Sequence, residues 1–275
     1  MRIPIGYWAF QKYGNDPYVQ GAKDYLSQAL GWAQQTGLQV WIDLHGAPLS
    51  QNGFDNSGQR TGNPQFLSGD TATFMTGILT QAATEFGDHP AVAGIALVNE
   101  PLMGSLPGGR TALSSFYGQA DAAVRGHSST GVIIHDGFAA PSSWNGFLTD
   151  TIVDHHEYQV FSNGDVALSY ADHASQAYAR AANWDGSDRR LIIGEWTAAM
   201  TDCAPALVSP RRLLSTSPLL TRISAYLVLQ IHANIRALER LRHRRTLRWH
   251  LQHQRRRYFV LRRLLRNQEF HRPMG

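Results

Sequence analysis

The run Val92-Ala93-Gly94-Ile95-Ala96-Leu97-Val98-Asn99-Glu100-Pro101 stays apolar through Val98 and then turns polar in two consecutive residues. A strand with one wet face would alternate polar and apolar side chains. This one does not, so it predicts a parallel strand buried on both faces, with Asn99 and Glu100 at its C-terminal end. Five more short runs of the same kind flank it, at residues 2–10, 38–44, 131–138, 151–158 and 191–196. Helix-like stretches lie between them, at 21–35, 71–86, 112–124 and 166–182. In the first, Tyr25, Leu26, Ala29, Leu30 and Ala33 recur at helical spacing and Gly37 supplies a stop. The connection 139–150 is short and holds at most one or two helical turns.

Strand and helix in strict alternation imply a parallel sheet with right-handed crossovers, either an open doubly wound sheet or a closed barrel. An open dinucleotide-binding sheet should carry G-x-G-x-x-G after an early strand, and none is present. Polar residues instead gather at the C-terminal ends of many strands: His45, Asn99, Glu100, Asp136, His156, Tyr158 and Glu195. A barrel places all those ends around one mouth, so the predicted fold is α/β, a (β/α)8 barrel. Six strands are visible where eight are needed, and the barrel is expected to be incomplete.

The 275 residues are 43% hydrophobic, 10% aromatic and 17% charged, which excludes a wholly disordered chain. One cysteine, Cys203, excludes a disulfide-dense scaffold. No run of eighteen apolar residues occurs, so no membrane span is expected, and the first residues show no signal peptide. The net charge of +4 averages two unlike pieces: residues 1–203 carry −10, and residues 204–275 carry +14 from sixteen Arg against two Glu. Such a reversal can mark a nucleic-acid-binding arm. This tail has no Lys, is rich in Leu and lacks aromatic stacking platforms, so no nucleic-acid partner is expected. The expected division is a partial barrel over 1–203 and an Arg/Leu-rich tail over 204–275 that is not barrel sequence, as a shifted frame or missed splice would produce.

Glu100 and Glu195 each close an apolar strand. A carboxylate there must be compensated or used, and two converging at one mouth give the pair that glycoside hydrolysis requires. With these residues, the strings Asn99-Glu100-Pro101, Gly194-Glu195-Trp196, Asp43-Leu44-His45-Gly46 and His155-His156-Glu157-Tyr158 together resemble glycoside hydrolase family 5. Longer strings resemble its fungal exo-β-1,3-glucanases. They are Arg2 through Trp8, Trp41 through His45 with Phe54 through Gly58, Tyr158-Gln159-Val160-Phe161, and Thr201-Asp202-Cys203.

The resemblance implies a retaining, exo-acting β-1,3-glucosidase with no cofactor, acting on β-glucan as a secreted monomer of the cell wall or extracellular space. Glu100 would be the acid/base, its pKa raised by desolvation and by the charge of Glu195. Glu195 would be the nucleophile, supported by Arg2. Asn99 would hold the sugar 2-hydroxyl, His45 and His156 would line the first sugar subsite, and Tyr158 would stand beside the nucleophile. Asn56 would contact sugar hydroxyls, and Phe54 and Phe161 would clamp the entrance, unless both are ordinary packing residues. The first strand would precede Met1, a tryptophan-bearing last strand is not recognisable, and the partner of Cys203 does not appear. The chain as written is therefore expected to fold poorly or be inactive, and a glucan-binding protein without turnover, or another β-linkage, are the alternatives.

Three other signals are weaker. Adjacent residues on a strand face opposite ways, so His155-His156 does not predict a metal site. Asp55-Asn56-Ser57-Gly58 lacks the downstream Glu of a calcium loop. Residues 104–109 are Gly-rich but lack the Lys-Ser/Thr of a phosphate loop, and read as a surface loop.

Overall fold

The computed structural model describes residues 1–199, except Thr149, Asn183, Asp185 and Ala198. The expectations about residues 204–275 and Cys203 lie outside the described residues. Six strands form one sheet: β1 (Arg2–Gly6), β2 (Val40–Gly46), β3 (Val92–Ala96), β4 (Gly131–His135), β5 (Ile152–Glu157) and β6 (Arg190–Trp196). Every neighbouring pair is parallel and the spatial order is the chain order, β1 through β6. A doubly wound sheet would reverse direction at a switch point; a sheet that never reverses is the wall of a barrel. Among the described residues the fold is thus an incomplete (β/α)8 barrel.

The outer layer contains α1 (Ala22–Thr36), α2 (Thr71–Ala82), α3 (Gly109–Arg125), the single turn α4 (Asn163–Val166) and α5 (Tyr170–Ala182). Ile42, Leu44, Ile95, Val132, Ile134 and Val153 from the strands share one core with Leu30 of α1, Ile78 and Leu79 of α2 and Phe116 of α3. The alternate strand residues, Arg2, Asp43, Asp154 and His156 among them, turn to the other side.

Several boundaries differ from the sequence reading. The run 2–10 is strand only to Gly6, after which Tyr7–Ala9 make a 3-10 turn. The run 131–138 stops at His135 because Gly137 and Phe138 both take positive φ. Helix 112–124 begins earlier, at Gly109, and 71–86 ends in a π-turn over Ala83–Gly87. The 166–182 helix is two pieces. Ser162 caps α4 by accepting the Asp165 amide at 2.9 Å, and Ser169 accepts the Asp172 amide at 3.2 Å to open α5. Among the described residues between β4 and β5 there is one 3-10 segment, Pro141–Trp144. Residues 104–109 are more ordered than a plain loop: Met103–Ser105 form a 3-10 turn, Leu106 is buried and Gly109 opens α3.

Candidate active site

Glu195 faces the site because β6 is irregular. Asp154 pairs with Ile192 and His155 with Ile193, but His156 pairs with Glu195, leaving Gly194 as an extra residue. Regular pairing would set Glu195 opposite Glu157, on the other side of the sheet. The bulge moves it one position and turns it toward His156. Gly194 is required here, since its amide donates to Asp154 Oδ1 at 2.7 Å and a Cβ would lie 2.6 Å from Asp154 Cγ.

Glu100 arrives by a different route. After β3 the chain continues extended, with the Asn99 amide bonded to Leu44 O at 2.9 Å, and Glu100 then takes φ +44° immediately before Pro101. That left-handed conformation costs a non-glycine residue about 1 kcal/mol or more, so its surroundings must enforce it. Gln51, fully buried, does so. Its side chain donates to Asn99 O at 3.0 Å and His45 O at 2.8 Å and accepts from the Ala47 amide at 2.9 Å, which ties the ends of β2 and β3 together.

The two carboxylates meet across His156. Its Nδ1 lies 2.7 Å from Glu100 Oε1 and 3.6 Å from Glu195 Oε2. Those two oxygens are therefore at most about 6.3 Å apart. Arg2 Nη1 donates to Glu195 Oε1, while Nη2 reaches Asn99 Oδ1 at 2.6 Å and Asp43 Oδ2 at 3.0 Å. Tyr158 donates its hydroxyl to Glu195 Oε2 at 2.9 Å. His45 Nδ1 bonds Asp43 Oδ2 at 2.7 Å, and its Nε2 is 3.4 Å from Asn99 Nδ2. Asn56, expected among the sugar contacts, here donates to Glu100 Oε2 at 2.7 Å. Phe54 and Phe161 are 45% and 79% exposed, so neither is a core residue; Phe161 lies against the Tyr158 ring at 5.2 Å.

The expectation of a raised Glu100 pKa is overturned. Burial does disfavour the anion, but the hydrogen bond and charge of His156 and the Asn56 amide outweigh it and hold the carboxyl below its usual range. Burial likewise opposes charge on His156, yet Asp154, Glu100 and Glu195 raise it to about 10. The proton of the pair thus rests on His156, and Glu100 is the anion. Burial and the charge of Glu195 push the Tyr158 hydroxyl well above its ordinary value, so it remains a donor.

Besides Gln51, sequence reasoning missed three buried members of the site: Asp43, Asp154 and His135. The first two stand two positions before His45 and His156, and the period of a strand puts such pairs on one face. His135, at the end of β4, packs edge-on against His156 with ring centroids 4.6 Å apart, and burial lowers its pKa to about 3. Glu100, His135 and His156 offer ligand atoms within 4.8 Å of one another. That trio suits a metal poorly. His135 Nδ1 accepts the Gly137 amide at 3.0 Å, so Nε2 keeps its hydrogen and has no lone pair to give. His155 points away, to Asp136 Oδ2 at 2.5 Å, and shares no ion with His156.

Comparison with known proteins addresses the family and the fold. The family profile described as "Cellulase (glycosyl hydrolase family 5)" matches residues 1–209. The chain is 46% identical over 212 residues to "Glucan 1,3-beta-glucosidase 2" of Wickerhamomyces anomalus, covering 74% of this chain and 49% of that protein. It is 44% identical over 213 residues to "Probable glucan 1,3-beta-glucosidase A" of Aspergillus niger, covering 75% and 50%. The chain thus spans about half the length of the curated relatives it matches. Among solved structures, rutinosidase from Aspergillus niger superposes with a TM-score of 0.65 at 20% identity, covering 78% of this chain and 64% of that one. Endo-glycoceramidase II from Rhodococcus sp. gives 0.55 at 16% identity, covering 82% and 61%. These structural likenesses show the fold, and the sequence relatives and family profile together show that the chain belongs to glycosyl hydrolase family 5.

Proposed function

We propose that the chain carries the catalytic centre of a retaining β-1,3-glucosidase that removes glucose from the end of a β-glucan. The observation that supports it most is the convergence of Glu100 and Glu195 on one nitrogen of His156, within 2.7 and 3.6 Å. Glu195, paired with Arg2 and Tyr158, attacks the anomeric carbon as the nucleophile. Glu100 gives a proton to the leaving oxygen and later takes one from water. Glu100 rests as the anion, so it first receives its proton from His156 Nδ1 across their 2.7 Å hydrogen bond. The His156–Glu100 pair gives one proton to the leaving oxygen and recovers one from the attacking water, so it ends the cycle protonated as it began.

The names of the sequence relatives support the β-1,3 linkage, and Phe54 and Phe161, exposed near the two carboxylates' loops, supply rings on which a sugar face can stack. Asn99, His45 and Asn56 supply polar contacts to the hydroxyls. A glucan substrate places the site of action outside the cell or in its wall. Among the described residues no helix is long and apolar enough to cross a membrane. The functional unit is residues 1–203. The test is hydrolysis of an aryl β-glucoside and of β-1,3-gluco-oligosaccharides, with the first anomer formed read by proton NMR. We expect any turnover to release β-glucose first and to be lost in Glu195→Gln. α-Glucose as the first product, or full turnover in that variant, overturns the reading. A second reading, glucan binding without turnover, is favoured by the six strands that the described sheet holds in place of eight. It predicts oligosaccharide binding without turnover in the unaltered chain, and activity abolished by Glu195→Gln would reject it.

A further inference from the structure

Trp8 lies outside the carboxylate site, yet three separate backbone segments are shaped around its indole. Gly6 at the end of β1, Gly46 at the end of β2 and Gly58 in the following loop each approach the same ring. A Cβ on them would come within 2.3, 2.8 and 2.6 Å of Trp8 carbons, respectively. Gly6 and Gly46 are also register partners beside the irregularity between β1 and β2. Tyr18 stacks on the indole at 4.0 Å and 20°, and its hydroxyl donates to Gly58 O at 2.9 Å. One aromatic ring therefore fixes Gly58 from one side and the strand ends from the other.

Gly58 closes the 3-10 turn Asp55–Ser57, with φ +84° and its amide on Asp55 O. Within that turn Asn56 Oδ1 accepts from Asn52 and Asn56 Nδ2 donates to Glu100 Oε2 at 2.7 Å. Ser57 Oγ is 2.7 Å from Ser50 Oγ, which also receives the Gly53 amide. The turn is thus stiff internally, and Trp8 is in contact with the glycine that closes it.

We propose that Trp8 is a positioning residue: by wedging between Gly6, Gly46 and Gly58 it holds the Asp55–Ser57 turn so that Asn56 reaches Glu100. A smaller side chain leaves space between the three glycines, into which Gly58 relaxes and draws the Asn56 amide off the carboxylate. The inference rests on the reading of Glu100 as the acid/base for its consequence in catalysis, but the coupling itself can be measured without turnover.

The measurement is a carboxyl carbon-13 NMR titration of Glu100, assigned with Glu100→Gln. Glu100 faces His45 from β2, His135 from β4, His156 backed by Asp154 from β5, and Glu195, Tyr158 and Arg2 beyond. Only the Asn56 contact should change. An amide hydrogen bond favours the anion, so Trp8→Leu and Asn56→Ala should each raise the proton affinity of Glu100 by about tenfold. The double variant should show no more than Asn56→Ala alone, since both remove one contact. If Trp8→Leu does not fold, Trp8→Phe, which keeps a ring, should give a smaller shift of the same sign. A Trp8 that merely adds stability would leave the Glu100 titration unmoved in folded protein, or shift it additively with Asn56→Ala; either result overturns the proposal. Should Glu100→Gln keep full turnover while the coupling is present, the acid/base reading falls and the positioning role stands.

Discussion

Substitution of Gly194 by alanine tests whether the β6 bulge sets the site. The added Cβ would stand 2.6 Å from Asp154 Cγ and nearer still to both oxygens, so the carboxylate must leave its place between Gly194 and His156. Two costs follow. The Gly194 amide loses its 2.7 Å bond to Asp154, a charge-assisted contact of about 1.5–3 kcal/mol. Fitting a methyl into a filled interior adds roughly 1–3 kcal/mol. A total on the order of 3 kcal/mol corresponds to a drop of roughly 6–12 °C in Tm for a domain near this size. The titration of His156 should change as well. Asp154 is one of the anions that raise it to about 10, and with that carboxylate displaced its pKa should fall toward the ordinary imidazole range. Urea unfolding gives the first quantity and imidazole proton NMR the second. Asp154→Ala separates the causes: with the carboxylate gone, Gly194→Ala should add little further cost, well short of additivity. A Gly194→Ala protein that matches the parent within about 0.5 kcal/mol, with His156 unmoved, would refute the argument that this glycine orients Glu195.

Two further outcomes follow from the charges. His156 is raised to about 10 from an ordinary 6.5, so its proton is held more tightly in the folded state. The stabilisation is fully present below about pH 6.5 and is lost as pH rises through about 10. His155, raised to about 9 by Asp136 and Glu157 against burial, loses its share in an overlapping window. Unfolding free energy should therefore decline from pH 6.5 to 10, and His156→Gln should flatten but not abolish that decline; an unchanged slope would contradict it. Arg180 on α5 bonds Glu157 and Tyr158 O at 2.8 and 2.9 Å and Asp165 at 2.9 Å, which ties the Phe161 loop to β5. As a partly exposed ion pair it contributes little to global stability, under about 1 kcal/mol. Arg180→Met should instead speed amide exchange across residues 159–168, and equal exchange rates would show the loop is held otherwise.

The strands were legible because their apolar runs are nearly continuous, and their parallel sense followed from the helices between them. What sequence did not show depends on departures from regularity or on residues far apart in the chain. Strict alternation along Ile193-Gly194-Glu195 sends Glu195 to the wrong side of the sheet; an isolated glycine inside a strand was the available sign of a bulge. The break between α4 and α5 was written in two Ser-x-x-Asp strings, Ser162 with Asp165 and Ser169 with Asp172, which an unbroken helical period concealed. The state of Glu100 was not readable at all. Desolvation was foreseeable from its apolar strand, but the opposing charge sits on His156, on a different strand and 56 positions away. Gln51 was missed for a similar reason, since nothing local marks a glutamine as the tie between two strand ends.

Both carboxylates owe their places to irregular backbone, a bulge at Gly194 and a positive φ at Glu100. Regular β-structure would separate them, because neighbouring parallel strands repeat the same face at fixed height while two catalytic groups must converge from opposite sides of one bond. Each irregularity is held by a polar group from the adjacent strand or loop: Asp154 grips the Gly194 amide, and Gln51 grips Asn99 O. Among the described residues the hydrogen-bond partners of the two carboxylates, Arg2, Asn56, His156 and Tyr158, all belong to the sheet or its loops. The protonation of the pair is accordingly a property of the six strands that hydrogen-bond in sequence and their loops. If so, the His156 and Glu100 titrations report on the site before any sugar is bound or turned over. A chain that binds glucan without cleaving it should still show them, and loss of both signals together would locate the defect in the sheet itself and not in the substrate contacts.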